Sequence, residues 1–441
     1  MAFSLKGVHV PHRKNTAGKP ALRIDPPKTV VIPMSMHIGA PARPVVKAGD
    51  LVSVGTLIGE AGGALSAPIH ASVSGKVTKI TDFLLSDGRT VPAVVIESDG
   101  AMTPDAGLTP PVLSSRDDFI TAVRNAGIVG LGGAGFPTHF KLNVDPAKID
   151  YLVINGAECE PYVTSDTLTM VERAADMETA LEAMKTYLGV KNIVIGIENN
   201  KKAAIESMKT LMERVGKNCS AQVKVLPSVY PQGGEKVLIY HTTGRVVPVG
   251  KLPIDAGCVV INCTTLAAIG SYLKTGMPLV EKCVTVDGGS VKSPANVLVP
   301  VGTSMAEVFT FCGGLLNEFP TKVVYGGPMM GIAVPDTSAP ILKNTNAILA
   351  LTEKEVKLPK TTACIRCGSC TNTCPFGINP ADIARAYQKR DRAALEELGL
   401  AACMECGCCS FGCPANRPLV QTNKLAKTFL KEEKAKEGNK A

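Results

Sequence analysis

Nine of the fifteen cysteines in this 441-residue sequence lie between Cys364 and Cys413. Cys364, Cys367, Cys370 and Cys374 form a C-x2-C-x2-C-x3-C-P run closed by Pro375, and Cys403, Cys406, Cys409 and Cys413 repeat it before Pro414. This is the ligand spacing of two-cluster [4Fe-4S] ferredoxins. Two residues between thiolates let three successive sulfurs reach three irons of one cube, while the fourth iron takes its ligand from the other motif. The expected sets are therefore Cys364, Cys367 and Cys370 with Cys413, and Cys403, Cys406 and Cys409 with Cys374. Two zinc sites of four thiolates each would use the C-x2-C halves but give no reason for the repeated third and fourth cysteines or for the prolines. Cys408 is off register and is expected to pack. The lone Cys159, Cys219, Cys258, Cys263, Cys283 and Cys312 read as small buried hydrophobes, and in a reducing cytosol clustered cysteines point to metal rather than disulfides.

A second candidate site is built from glycines and acids. Gly130-Leu131-Gly132-Gly133-Ala134-Gly135 has the spacing of a dinucleotide loop, but a helix precedes it and Pro137 interrupts the element after it, so it is not the strand-first Rossmann arrangement. Such a loop can still bring backbone amides close to phosphate or to a planar ring. Phe136 can pack on a neighbouring ring, and Lys141 can offer charge to a phosphate. Glu158 and Glu160 follow the apolar run ending at Asn155, at the end of a strand where side chains project into a cleft. Alone they read as solvated acids; beside the glycine loop and Tyr230-Pro231-Gln232-Gly233-Gly234-Glu235 they gain a binding role. No side chain here needs to act as an acid or base if a cofactor carries the chemistry. His37 and His70 lack Cys or acidic partners at ligand spacing and read as structural.

The elements that must hold these residues follow from pattern. Residues 29–99 are short apolar runs broken by Gly, Asp and Pro, as in a small β-barrel or sandwich. The run VKAGDLVSVGTLIGE followed by SAPIHASVSGKVTKI resembles the barrel-sandwich domain of biotinyl and lipoyl carriers, but the hairpin AGGALS has no lysine to acylate. From Arg116 onward, helical stretches alternate with DYLVIN, NIVIGIE and QVKVLPSV, which implies a parallel sheet covered by helices. SDTLTMVERAADMETALEAMKTYL reads as a single helical stretch. Residues 280–335 resemble the β-grasp module called SLBB. The expected fold class is multidomain α/β: a barrel-sandwich domain over 1–110, an α/β domain over 111–275, the SLBB module over 276–340, a helical two-cluster domain over 355–420, and a charged tail over 421–441.

Composition bounds the function. Apolar residues are 45%, charged residues 20% and aromatics 4%, which excludes disorder and collagen-like repetition. No run of about 18 apolar residues and no signal-like apolar start is present, so the chain is expected to be cytosolic and not membrane-spanning. The net charge of +8 is dispersed, which argues against a nucleic-acid face.

GLGGAGFPTHFK, INGAECEPYVTSD, YPQGGEKVLI and INCTTLAAI occur in the order found in the flavin- and NADH-binding subunit of respiratory complex I. With KGVHVPHRK, HIGAPARPVVKAGD and both cysteine motifs, the sequence resembles the RnfC family of Rnf electron-transport complexes. That resemblance implies noncovalent FMN, two [4Fe-4S] clusters and NAD(H) as substrate. It implies a peripheral subunit on the cytoplasmic side of the membrane, partnered by other Rnf subunits, membrane-bound and ferredoxin-like, with ferredoxin reached indirectly. Carried over by position, Gly130, Gly132 and Lys141 go with the FMN phosphate and ring, Asn155 and Glu158 with the isoalloxazine edge, and Asn262 and Thr265 with the ribityl-phosphate region. Phe136, Glu160 and Glu235 go with NAD(H), and Tyr230 and Gly234 complete the pocket. Ala157 and Lys236 stand where complex I has acids. The rivals are a soluble cobalamin-reductase-like flavin and iron–sulfur enzyme, and a non-catalytic cluster-bearing adaptor.

Overall fold

The computed structural model describes residues 6–86, 88–317, 320–356 and 359–438, so Lys357 and Leu358 of the polar connector and the end of the charged tail lie outside the described residues. Two small sheets form the barrel. Thr29–Pro33, Thr90–Ser98, Gly75–Leu84 and Leu51–Val52 make one, and Arg43–Pro44, Leu57–Glu60 and Ile69–His70 the other. They close on Val30, Ile32, Met34, Ile58, Ile69, Val94 and Ile96.

The central α/β unit has four parallel strands in the order Ser220–Leu226, Asn192–Glu198, Tyr151–Asn155, Cys258–Asn262. Its sequence shows why both faces are covered. In Asn192–Glu198, Ile193, Ile195 and Ile197 enter one apolar cluster with Met184, Met208 and Leu211, while Val194 enters another with Leu238 and Ile239. Each such buried side chain contributes about 1.5–3 kcal/mol. The single helical stretch expected after Thr164 is two helices, Ser165–Glu172 and Ala174–Leu188, broken at Arg173, whose side chain pairs with Asp176. The break lets the helix Cys263–Thr275 lie close at Gly270, where a Cβ would come within 1.8 Å of the Asp176 carbonyl oxygen.

Strand order reverses between Tyr151–Asn155 and Cys258–Asn262: the first leads outward through Asn192–Glu198 to Ser220–Leu226, and the last is added on the other side. Asn155 and Asn262 are register partners at the carboxyl ends of those two strands. That is the switch-point crevice where open α/β sheets bind ligands.

The third layer is a six-stranded mixed sheet in the order Ala21–Arg23, Ala295–Pro300, Glu281–Asp287, Ala347–Leu351, Lys322–Tyr325, Ile332–Val334. Two of its strands come from outside the span expected for the SLBB module. Ala347–Leu351 is wholly buried between Glu281–Asp287 and Lys322–Tyr325. Ala21–Arg23 pairs with Asn296–Leu298, away from the barrel. Residues 6–20 also leave the barrel and run as a strap across the α/β unit, because Val8 and Val10 bury against Tyr230, Cys406 and Cys408. The cluster region is helical, with Pro380–Gln388 packed on Leu419–Gly438. Among the described residues no helix is long and apolar enough to cross a membrane.

Candidate functional site

The glycine loop lies over the crevice. Leu131 N–H donates to Thr265 Oγ1 at 2.9 Å, and a Cβ on Gly132 would stand 2.9 Å from Asn262 Nδ2, so the approach there requires glycine. Asn262 caps the helix Cys263–Thr275 through Thr264 and Thr265 N–H, while its Nδ2 donates to the buried Asp166 at 2.7 Å. Asn155 Nδ2 donates to Gly233 O at 2.9 Å, which joins the strand end to the Tyr230–Glu235 segment. Gly132, Asn155, Asn262 and Thr265 thus meet at one crevice, while Gly130 closes the base of the loop, its N–H donating to Phe136 O at 2.8 Å. The N–H groups from Gly132 to Phe136 have no hydrogen-bond partner among the described residues, and Gly132, Gly133 and Ala134 are exposed. A loop of open donors beside paired strand ends fits a phosphate-bearing flavin.

Other expected residues are engaged with each other. Lys141 Nζ donates to Glu235 Oε1 at 2.9 Å and to Val260 O at 3.1 Å, so the residues given to FMN phosphate and to NAD(H) form a half-exposed pair. Phe136 packs edge-on against Phe140 with ring centroids 5.9 Å apart, and Phe140 is itself exposed. Glu158 is buried. Its carboxylate accepts from Asp166 N–H at 2.8 Å and Thr167 Oγ1 at 2.7 Å and lies 3.5 Å from Lys201 Nζ. That carboxylate holds the start of the helix Ser165–Glu172. Glu160 accepts from Met329 and Met330 N–H at 3.0 and 2.9 Å, tying the acidic loop to the six-stranded sheet, and burial pushes its pKa up to about 7.

Lys14, the last residue of KGVHVPHRK, was given no role by the sequence. Its ammonium donates to Glu158 O at 3.0 Å, Glu160 O at 2.7 Å and Val163 O, and burial lowers its pKa to about 8. Only the fold brings it 144 residues along the chain to Glu158. His37 is structural as expected: Nε2 lies 3.1 Å from Ala40 O and Ser66 Oγ, and burial lowers its pKa to about 4.

None of the eight motif cysteines is in a disulfide. Cys374, Cys403, Cys406 and Cys409 line one small cavity together with Pro375, Phe376 and Met404, and Cys370 and Cys413 pack against an adjoining apolar cluster of Ala384, Cys409, Leu419 and Val420. Sulfur donors drawn from both motifs into one enclosed space fit a cubane and its crossed ligation. The first cavity abuts the α/β unit. Tyr230 is buried with its hydroxyl on Cys406 O at 2.7 Å, Gly234 would carry a Cβ 2.3 Å from Met404, and Cys408 packs against Tyr230. Tyr230 therefore faces the cysteine loop rather than the glycine loop.

Similarity to known proteins runs along the same divisions. Residues 123–271 match the FMN-binding domain of Nuo51, 3–101 the RnfC barrel sandwich hybrid domain, 283–333 the SLBB domain, and 357–414 a 4Fe-4S dicluster domain. The RnfC component of the Na+-translocating ferredoxin:NAD+ oxidoreductase complex of Acetobacterium woodii is 44% identical over 388 residues, covering 87% of each chain. The chain belongs to the RnfC family. A second RnfC, from the proton-translocating ferredoxin:NAD+ oxidoreductase complex of Clostridium ljungdahlii, is 43% identical over 425 residues, covering 94% of this chain and 91% of that one. Its counterpart in the ion-translocating oxidoreductase complex of Rhodobacter capsulatus is 40% identical over 443 residues, covering 99% and 85%. An NAD+-reducing [NiFe]-hydrogenase in its air-oxidized state shares the fold with a TM-score of 0.50 and 18% identity, over 70% of this chain and 63% of that one. This RnfC chain accordingly carries an FMN-binding domain and a 4Fe-4S dicluster domain, and the barrel match favours a member of a larger complex over the soluble reductase.

Proposed function

We propose that this chain is the NAD(H)-linked electron subunit of a membrane-bound ferredoxin:NAD+ oxidoreductase that translocates Na+ or H+, docked peripherally on the cytoplasmic side with other Rnf subunits. When bound, FMN supplies the chemistry that joins a two-electron carrier, NAD(H), to one-electron clusters. The chain's own residues bind and orient. The N–H donors of Gly132–Phe136 receive phosphate, Asn155, Asn262 and Thr265 fix the crevice, and Phe136 offers a face to a ring. The Lys141–Glu235 pair forms a charged rim, and the Glu158 loop backs the crevice.

The ordering of the relay is carried by one observation, the packing of Tyr230 on the Cys406 loop. The same segment whose Gly233 is bonded to Asn155 touches the cavity of Cys374, Cys403, Cys406 and Cys409, which supports reading that set as the inner one. Cys364 and Cys367 are exposed and belong to the outer set, which serves a partner. Anaerobic addition of NADH to purified, reconstituted protein tests the reading. Bleaching of flavin absorbance followed by cluster reduction is expected; protein that retains no flavin, or whose flavin ignores NADH, overturns it.

A further inference from the structure

The glycine loop is gripped from outside its own domain. Lys343, fully buried in the segment leading into the strand Ala347–Leu351, donates to Gly127 O and to Pro68 O of the barrel, both at 2.7 Å. A buried ammonium is costly unless hydrogen-bonded. Of these two carbonyls, that of Gly127 lies at the root of the loop, just past the helix Arg116–Asn125. The next residue, Asn344, reaches the loop itself: its Nδ2 donates to Gly133 O at 2.7 Å. From the barrel, Ile38 N–H donates to Gly135 O at 3.1 Å.

These bonds determine where the loop's donors point. In a planar trans peptide the C=O and the following N–H are antiparallel. With the Gly133 carbonyl held by Asn344, the Ala134 N–H is aimed the opposite way, and the grip of Ile38 on Gly135 does the same for Phe136. Gly133 and Gly135 adopt φ of +153° and +68°, and glycine, lacking a Cβ, allows the adjoining peptide units other orientations unless something outside pins them. Both pins come from elsewhere in the chain, and the donors they orient are among those without a partner in the loop.

We propose that Asn344 is a positioning residue that aims the amides of the glycine loop at a phosphate group, with Lys343 anchoring the loop's root. The phosphate belongs to the flavin cofactor or to the dinucleotide's pyrophosphate. This inference rests on the nucleotide-binding reading above, and it adds that the segment after the SLBB sheet, rather than the flavin domain alone, sets phosphate affinity.

The test is Asn344→Leu in the full chain, which keeps the size and removes the donor without adding charge, with Asn344→Ala as the second variant should the first not fold. Iron content and melting temperature serve as controls and are expected to match wild type. If the flavin phosphate is the ligand, Kd for FMN rises about tenfold while Kd for riboflavin, which lacks the phosphate, stays unchanged. If the dinucleotide is the ligand, the KM for NADH rises by a similar factor with kcat and FMN affinity unchanged. Wild-type values for FMN, riboflavin and NADH in a folded variant overturn the proposal. Wild-type protein that binds neither FMN nor NADH defeats the underlying reading instead, so the two failures are distinct.

Discussion

The two cysteine motifs share a backbone and differ in everything around it. Arg366 and Glu405 take φ of 56° and 62°, Gly368 and Gly407 take 77° and 84°, and Gly377 and Asn416 take 68° and 51°, at matching places in each repeat. Each motif then enters a one-turn helix, Ser369–Asn372 or Cys408–Phe411. Yet Cys364 and Cys367 are exposed, whereas Cys406 and Cys409 are buried beside Tyr230 and Met404. The motifs therefore share their spacing, and the residues packed outside each loop set them apart; under the proposed relay, that packing separates an inner set from an outer one. Solvent exposure and nearby hydrogen bonds tune cluster potential, so one ligand pattern yields two unlike sites.

The largest effect expected from breaking this asymmetry is loss of one ligand from each set. Cys406→Ser and Cys364→Ser should each lower iron from about eight to about four per chain. Only Cys406→Ser should stop electrons from NADH at the flavin, with flavin bleaching intact and transfer to an external acceptor at background. Cys364→Ser should keep one NADH-reducible cluster. Rapid-mixing absorbance and EPR separate the two, and identical behaviour would erase the inner–outer distinction.

A milder perturbation is Tyr230→Phe. It removes the hydroxyl from the Cys406 carbonyl, and leaving that buried acceptor unpaired costs about 1–3 kcal/mol. The EPR signal and midpoint potential of the inner cluster should move while those of the outer cluster hold. A shift in both would mean that the substitution disturbs the whole domain.

The outer motif sits in a stretch of one charge sign. Between Glu355 and Asp382, and again between Glu405 and Glu432, the sequence has no Asp or Glu, while Lys360, Arg366 and Arg417 accompany the exposed thiols. An acidic one-electron partner would be steered to such a face. Arg366→Glu with Lys360→Glu should slow reduction of an acidic ferredoxin-type acceptor several-fold at low salt, converging with wild type as salt screens the field. Flavin bleaching should be untouched, and an effect on bleaching would place those cations in the wrong part of the relay.

Much of this was legible in the sequence where local pattern determines the answer. The cysteine spacing groups Cys374 with the later motif, and those sulfurs line one cavity; the apolar runs imply the parallel sheet. What escaped was long-range. The apolar run Ala347–Leu351 does not announce that it pairs between Glu281–Asp287 and Lys322–Tyr325. Lys14, Lys343 and Asn344 look like ordinary polar residues until the fold brings each to a backbone carbonyl. The glutamates were found, but their acceptor sites are occupied by the chain itself: the sequence shows a carboxylate, and only packing shows that Glu158 caps a helix and Glu160 holds Met329 and Met330.

That last contact gives the smallest expected effect, and it belongs to the inner side alone. Burial raises Glu160 from 4.5 to about 7, so the folded state holds its proton more tightly than the unfolded chain does. A raised carboxyl contributes stability that is complete below about 4.5 and is lost as pH climbs through about 7. Glu160→Gln removes this dependence. Between about pH 5.5 and 8, the melting temperature of wild type minus that of the variant should fall and then level off above about 7. Subtracting the variant cancels the other titrating groups, which makes a modest slope readable. A gap that stays constant across the range would mean that the carboxylate remains ionised throughout, and that the two N–H groups of Met329 and Met330 outweigh its burial.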